Sequence, residues 1–253
     1  MTVYTDPIIA SPAVPGAPIP GSPRNLLIYT PIAPVAADSP IVAAAKLLGE
    51  VDEHGNTQLH RCRDPELAEA LLAVGIKVDI LNFGGSTPLH FLCAHDLPDV
   101  ARVLIEHGAN TSARDEQDVS VLHGTCGAGN LEVATLLLER GARVDPRDFE
   151  ANTPLHWAAR RGHTECVKLL IKHGAEVDAE NVHGQTPHFV AMLARAPMTA
   201  EALVIAGANV HHRDRAGHGP LDETRIPRIA AIGPAHAAIA ALIIDWQDAR
   251  DTE

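Results

Sequence analysis

The chain has 253 residues, 46% of them hydrophobic and 21% charged, which is enough for one sizeable core or two small ones. Asp and Glu number 32 against 20 Lys and Arg, a formal charge of −12, and aromatics make up only 3%. That balance argues against a general nucleic-acid or anionic-membrane binder, which needs clustered positive charge and, for bases, stacking platforms.

Residues 1–40 hold nine of the nineteen prolines and almost no charge. Each proline removes an N–H donor and fixes φ, so a disordered or polyproline-like tail is expected. Pro12-Ala13-Val14-Pro15 and Pro15-Gly16-Ala17-Pro18 are P-x-x-P strings without flanking basic residues, and a plain leader is preferred over a partner-domain ligand. The stretch Asn25–Ala37 is interrupted by Pro31 and Pro34, which spoils the apolar helix of a signal peptide. No apolar run approaches the ~20 residues of a membrane span. Cys62, Cys93, Cys126 and Cys166 are scattered, with no C-x-x-C pair, and suit a reducing compartment. The expected location is intracellular, cytoplasmic or nuclear, with no membrane and no nucleic acid as partner.

From residue 41 the sequence repeats. Thr57-Gln58-Leu59-His60 returns as Thr87-Pro88-Leu89-His90, Ser120-Val121-Leu122-His123, Thr153-Pro154-Leu155-His156, Thr186-Pro187-His188-Phe189 and Gly219-Pro220-Leu221-Asp222. The first interval is 30 residues and the next four are 33. Gly75, Gly108, Gly141, Gly174 and Gly207 hold the same phase. Each unit reads as helix, turn, helix, finger. Thr or Ser accepts the free N–H groups of a first helix, with Pro at its first position. An amphipathic second helix ends at a glycine suited to the left-handed cap. Asn82, Asp115, Asp148, Asn181 and Asp214 then supply turn chemistry five residues before the next motif. One unit is too thin to bury its apolar face, so neighbours must stack.

These residues resemble the ankyrin repeat, whose period and T-P-L-H-x-A signature they share. The clearest copy starts at Thr153-Pro154-Leu155-His156-Trp157-Ala158. The resemblance covers residues 41–247 and implies an all-α solenoid, with a cap near 41–56, copies at 57–86, 87–119, 120–152, 153–185 and 186–218, and a closing cap at 219–247. The first copy is short between His60 and Leu71 and carries Arg61 and Arg63. With the short helix Ile41–Leu48 it suits an N-terminal cap. The last copy breaks at Pro227, and Ile239, Leu242, Ile243 and Trp246 at helical spacing would close that end.

Fifteen histidines and four cysteines invite a metal site. The repeat frame argues against one. His60, His90, His123 and His156 are equivalent positions on helices ~8–10 Å apart, whereas two ligands of one zinc stand within ~4 Å of each other. The resemblance makes them structural hydrogen-bonding positions. Cys93 and Cys126 occupy the slot of Ala159, and Cys166 falls on a valine slot, so core packing is preferred. Cys126-Gly127-Ala128-Gly129-Asn130 lacks the preceding strand and third glycine of a phosphate loop, and Gly129 aligns with the turn glycine Gly162. No nucleophile, base and oxyanion donor come together in the pattern. No cofactor, no metal and no enzyme are expected.

What remains is surface. The resemblance implies that another protein binds at the finger tips and on the exposed side of the first helices. Position by position, the tips are Phe83, Gly84 and Ser86; Glu116, Gln117 and Val119; Phe149, Glu150 and Asn152; Val182, His183 and Gln185; Arg215, Ala216 and His218. The helix positions include His95, Ala128, Arg160, Arg161 and Leu193. Exposed aromatics and arginines are the residue types that carry interface energy. The alternative for Phe83 and Phe149 is that each ring folds over a neighbouring finger. Asp118 and Ala151 replace the glycine of other tips, so those two fingers are expected to bend differently. The expected function is a non-catalytic adaptor, monomeric in isolation, that binds a protein on its concave face. One alternative is an inhibitor that masks a basic partner such as a transcription factor. Another is an accessory enzyme or a small-molecule or metal binder using His211, His212 and His218.

Overall fold

The computed structural model describes residues 51–95 and 97–220. The proline-rich tail, the helix expected over Ile41–Leu48 and the closing segment from Leu221 onward lie outside the described residues. Nine helices run through the described part: α1 Pro65–Ala73, α2 Pro88–Ala94, α3 Pro98–Glu106, α4 Val121–Ala128, α5 Leu131–Glu139, α6 Pro154–Arg161, α7 Thr164–Lys172, α8 Pro187–Leu193 and α9 Pro197–Ile205. The first helices of successive repeats, α2, α4, α6 and α8, pack on one another as one row. The second helices, α1, α3, α5, α7 and α9, pack as another, and the result is an all-α solenoid.

Local chemistry starts each first helix. Thr87, Ser120, Thr153 and Thr186 hold extended backbone at the N-cap. In the first three of these the histidine three residues on closes a capping box from the other side, in the role usually played by Glu or Gln. Packing then follows the period. Leu71, Leu104, Leu137, Leu170 and Leu203 sit 33 residues apart along the second helices, and every one is fully buried. Leu59, Leu89, Leu122 and Leu155 do the same for the first-helix row. A side chain of this kind gives about 1.5–3 kcal/mol on burial, and an isolated repeat has no neighbour to bury it against.

Two features depart from the sequence reading. In the first copy the first helix is reduced to a turn, Thr57–Arg61, held by His60 N–H to Thr57 O at 3.1 Å and Arg61 N–H to Gln58 O at 3.2 Å. The three missing residues are nearly one helical turn, and the chain passes straight to Asp64, which caps α1. The second departure is at the tips that lack glycine. Asp118 and Ala151 both stand at φ 58°, in the left-handed region used by Gly55, Gly85, Gly184 and Gly217 at φ 71–81°. These two fingers do not bend differently. Each accepts the strain because the flanking Asx turn and its hydrogen bonds fix the conformation regardless of the residue.

That strain is measurable. Ala151→Gly is expected to raise the unfolding free energy by about 1 kcal/mol, the cost of holding an L-residue left-handed, read as a higher urea midpoint. The opposite change, Gly184→Ala, lowers it, since a Cβ there meets Arg215 Cγ at 2.9 Å and Arg215 N at 3.0 Å.

Candidate functional site

Six fingers project from the two helix rows, one more than the sequence reading named. At each tip an Asp or Asn Oδ1 accepts the N–H groups two and four residues on, as Asn82 does from Gly84 (3.0 Å) and Ser86 (2.9 Å). Asp115, Asp148, Asn181 and Asp214 repeat this. So does Asp52, from His54 and Asn56. The signal for this sixth finger was present: Asp52 stands five residues before Thr57, as the others stand before their motifs.

The fingers are joined edge to edge. Phe83 N–H donates to His54 O, Glu116 to Gly84 O, Phe149 to Gln117 O, Val182 to Glu150 O and Arg215 to His183 O, at 2.9–3.2 Å. Arginines reinforce this row from the side. Arg147 Nη1 donates to Ala151 O of its own finger and to Glu180 O of the next, and Arg114 bonds Asp118 O and Arg147 O in the same way. Behind the fingers, carboxylates tie three of the described repeats to the next, and Ser112 Oγ takes the place of the carboxylate at the remaining junction. Asp79 accepts Asn110 N–H at 3.0 Å, Asp145 accepts Glu176 N–H at 2.9 Å and Asp178 accepts Asn209 N–H at 3.0 Å. Asp79, Asp145 and Asp178 keep a common register, 33 residues apart from Asp145 to Asp178 and twice that from Asp79 to Asp145.

The motif histidines complete the joints. Thr153 N–H can only donate, so His156 Nδ1, at 3.1 Å, accepts, with Thr153 Oγ1 at 3.0 Å. The ring proton therefore lies on Nε2, which donates at 3.0 Å to Gln185 O, at the end of the finger that leads into the next repeat. His60, His90 and His123 do the same toward Ser86 O, Val119 O and Asn152 O. Burial, opposing the charged form, holds all four below the usual histidine range, His156 at about 4. The fifth described repeat breaks the pattern. Phe189 occupies the histidine position and is fully buried, while His188 occupies the leucine position with its Nδ1 buried and unpartnered.

These contacts sort the candidate binding residues. Ser86, Val119, Asn152 and Gln185 accept the histidine bonds through their carbonyls, so their backbones serve the scaffold. Phe83 is 55% exposed, but its ring lies over the preceding tip: a Cβ on Gly55 would come within 2.6 Å of it. Glu116 and Arg215 rest in the same way on Gly85 and Gly184. At Phe149 and Val182 the preceding tip carries Asp118 or Ala151 in place of the glycine. Phe149 is 65% exposed and Val182 38%. Gln117, His183, Ala216, His95, Ala128, Arg160, Arg161 and Leu193 are exposed, and Glu150 is half-buried with its carboxylate on Asn152.

The remaining candidate chemistry is occupied or buried. All four cysteines are free and buried, and burial pushes the Cys93 thiol up to about 12, far from a reactive thiolate. His212 Nε2 donates to Gly184 O at 2.8 Å, with Glu180 at 3.7 Å, and His218 lies 3.5 Å from Asp214. Since a carbonyl only accepts, Nε2 of His212 is the donor. Among the described residues no three His, Cys, Asp or Glu side chains are placed to hold one metal ion, and no helix is long and apolar enough to cross a membrane.

Comparison with curated proteins gives no match. The family description "Ankyrin repeats (3 copies)" matches residues 59–148 and 122–214, which together span more than half of the chain. Its units coincide with the stacked helix pairs, the finger row and the histidine joints described above. Ankyrin repeats are generally protein–protein interaction modules and typically non-catalytic. With profile, period and geometry in agreement, the chain belongs to the ankyrin repeat family.

Proposed function

We propose that the chain is an adaptor that captures another protein on the tips of its fourth and fifth described fingers and the adjoining first helices. The observation that carries this reading is Phe149, a large aromatic 65% exposed on a tip whose backbone is fixed by hydrogen bonds on both sides. A rigid exposed ring loses little entropy on binding, which is why aromatics dominate interface energetics. Val182 lies on the next tip. Arg160 and Arg161 end the following first helix and form no ion pair with another described residue, in contrast to Arg102, held by Glu132 at 2.7 Å. Glu116, Gln117, Glu150, His183 and Arg215 provide the polar surround on the same row. The net charge of −12 gives a second reading, an inhibitor that masks a basic partner. Arg160, Arg161 and Arg215 on the same face count against it.

The test is affinity capture from native extract with the full chain and with a Phe149→Ser/Val182→Ser variant, both first shown equally folded by circular dichroism. A protein held by the wild type should bind the variant at least about tenfold more weakly, as for loss of an interface anchor. Phe83→Ser should change capture less, because that ring already rests on Gly55. Equal capture by wild type and double variant moves the binding surface away from these tips.

A further inference from the structure

The shortened first copy leaves a cavity. Elsewhere each first helix packs against the first helix before it, whereas on that side α2 has the turn Thr57–Arg61, whose His60 ring faces Phe91. The space where the missing helical turn would have been is a half-open hollow of about 330 Å³ between that turn and the second half of α2. Its floor is apolar: Phe91, Leu92 and Leu97, with the Phe91 ring set edge-on to His60 at 5.7 Å. Arg61, Arg63 and His95 also line it.

The described lining of this hollow carries two arginines and no carboxylate, against a net charge of −12 for the chain. Among the described residues Arg61 has one carboxylate in ion-pair range, Asp52 at 4.0 Å, the outer limit of such a pair, and Arg63 has none. By contrast Arg102 is held by Glu132 at 2.7 Å and Arg147 by Glu180 O at 2.7 Å. Two weakly engaged guanidinium groups, two residues apart, offer the planar donors that take a carboxylate in a bidentate pair. The volume is at the lower end of what a ligand pocket holds, enough for one large side chain and its polar end.

We propose that this hollow receives the C-terminal residue of the partner chain, its apolar side chain on Phe91, Leu92 and Leu97 and its free carboxylate on Arg61 and Arg63. A chain terminus is the peptide element that carries an apolar side chain and a carboxylate on one residue, which is what the floor and the arginines together ask for. This rests on the reading of the array as a protein-binding module, but it uses the first and second repeats, whereas Phe149 and Val182 stand on later fingers.

The test is fluorescence polarisation with the full chain and three labelled peptides: one ending in Gly-Leu-Phe with a free carboxylate, the same peptide as its C-terminal amide, and an amidated peptide with internal Glu and Leu. The free acid should bind saturably and at least about tenfold more tightly than the amide, the difference expected for loss of a charge-assisted pair. Arg61→Gln and Arg63→Gln should each bring the acid toward the amide, while Arg140→Gln on the outer face of the array should not. Equal binding of acid and amide, no binding of either, or tighter binding of the internal acidic peptide overturns the proposal. If Phe149→Ser/Val182→Ser leaves capture intact while the free acid still binds, only the finger reading falls. If the reverse holds, only the hollow does.

Discussion

Replacing His156 by alanine is expected to lower the unfolding free energy by about 3–5 kcal/mol, more than any exposed substitution in the array. The ring is fully buried and ties α6 to the finger that leads into α8. Its removal leaves the Thr153 N–H without its acceptor at 3.1 Å and takes from Gln185 O one of its two donors, at 3.0 Å. Each abandoned buried group costs about 1–3 kcal/mol, and the cavity adds to this. Gln185 O keeps the Asn181 N–H at 3.1 Å, so the finger turn survives. What is lost is the link from α6 to the finger that leads into α8. Urea denaturation followed by circular dichroism should show a lower midpoint, or a split transition in which the C-terminal repeats melt first, as expected where each repeat contacts only its neighbours. The comparison is His183→Ala, an exposed histidine one finger away, which should stay within about 0.5 kcal/mol of wild type. Equal losses from the two substitutions would refute the tautomer and bonding assigned to His156.

The same residues explain what was legible in the sequence. A position that does one job in every copy stands out by recurrence, and the Thr-Pro-Leu-His run, the leucines at 33-residue intervals and the cap glycines all qualify. The fold class and the structural role of the histidines were therefore readable. Positions whose conformation is imposed by neighbours were not. Asp118 and Ala151 adopt the left-handed backbone of a glycine because Asp115 and Asp148 clamp the turns around them, so residue identity misled. Asp79, Asp145 and Asp178 look like solvated acids until the partner N–H, 31 residues away, is brought beside them by stacking. The candidate surface divides in the same way. Exposure of Phe149 could be guessed, but its difference from Phe83 goes with whether the preceding tip offers a glycine to lie on, a relation between residues 28 positions apart in one case and 31 in the other.

Acid should destabilise the array within the window where free histidine titrates. Burial is the leading cause that holds His60, His90, His123, His156 and His188 below their ordinary value near 6.5, and brings His156 and His188 to about 4. In the unfolded chain these rings take up protons near pH 6.5. In the folded chain they resist, so between the two values the unfolded state binds more protons and stability rises with pH. Their contribution is thus complete above about pH 6.5, falls as the pH drops below it, and levels off only near pH 4 for His156 and His188. For each of these two the loss by pH 5 is roughly 2 kcal/mol. The two differ in what their removal does. His156 is needed as a neutral ring in two hydrogen bonds, whereas His188 has an orphaned buried Nδ1 at a position that other repeats fill with leucine. His188→Leu should therefore raise stability at neutral pH and also flatten the acid dependence by its share, the signature of a buried base without a partner. Urea midpoints at pH 7.5, 6 and 5 for wild type and His188→Leu are the measurement. A wild-type midpoint that stays constant from pH 7.5 to 5 would mean that the folded rings take up protons as readily as free ones, which the hydrogen bonds from the Thr and Ser N–H groups to Nδ1 oppose.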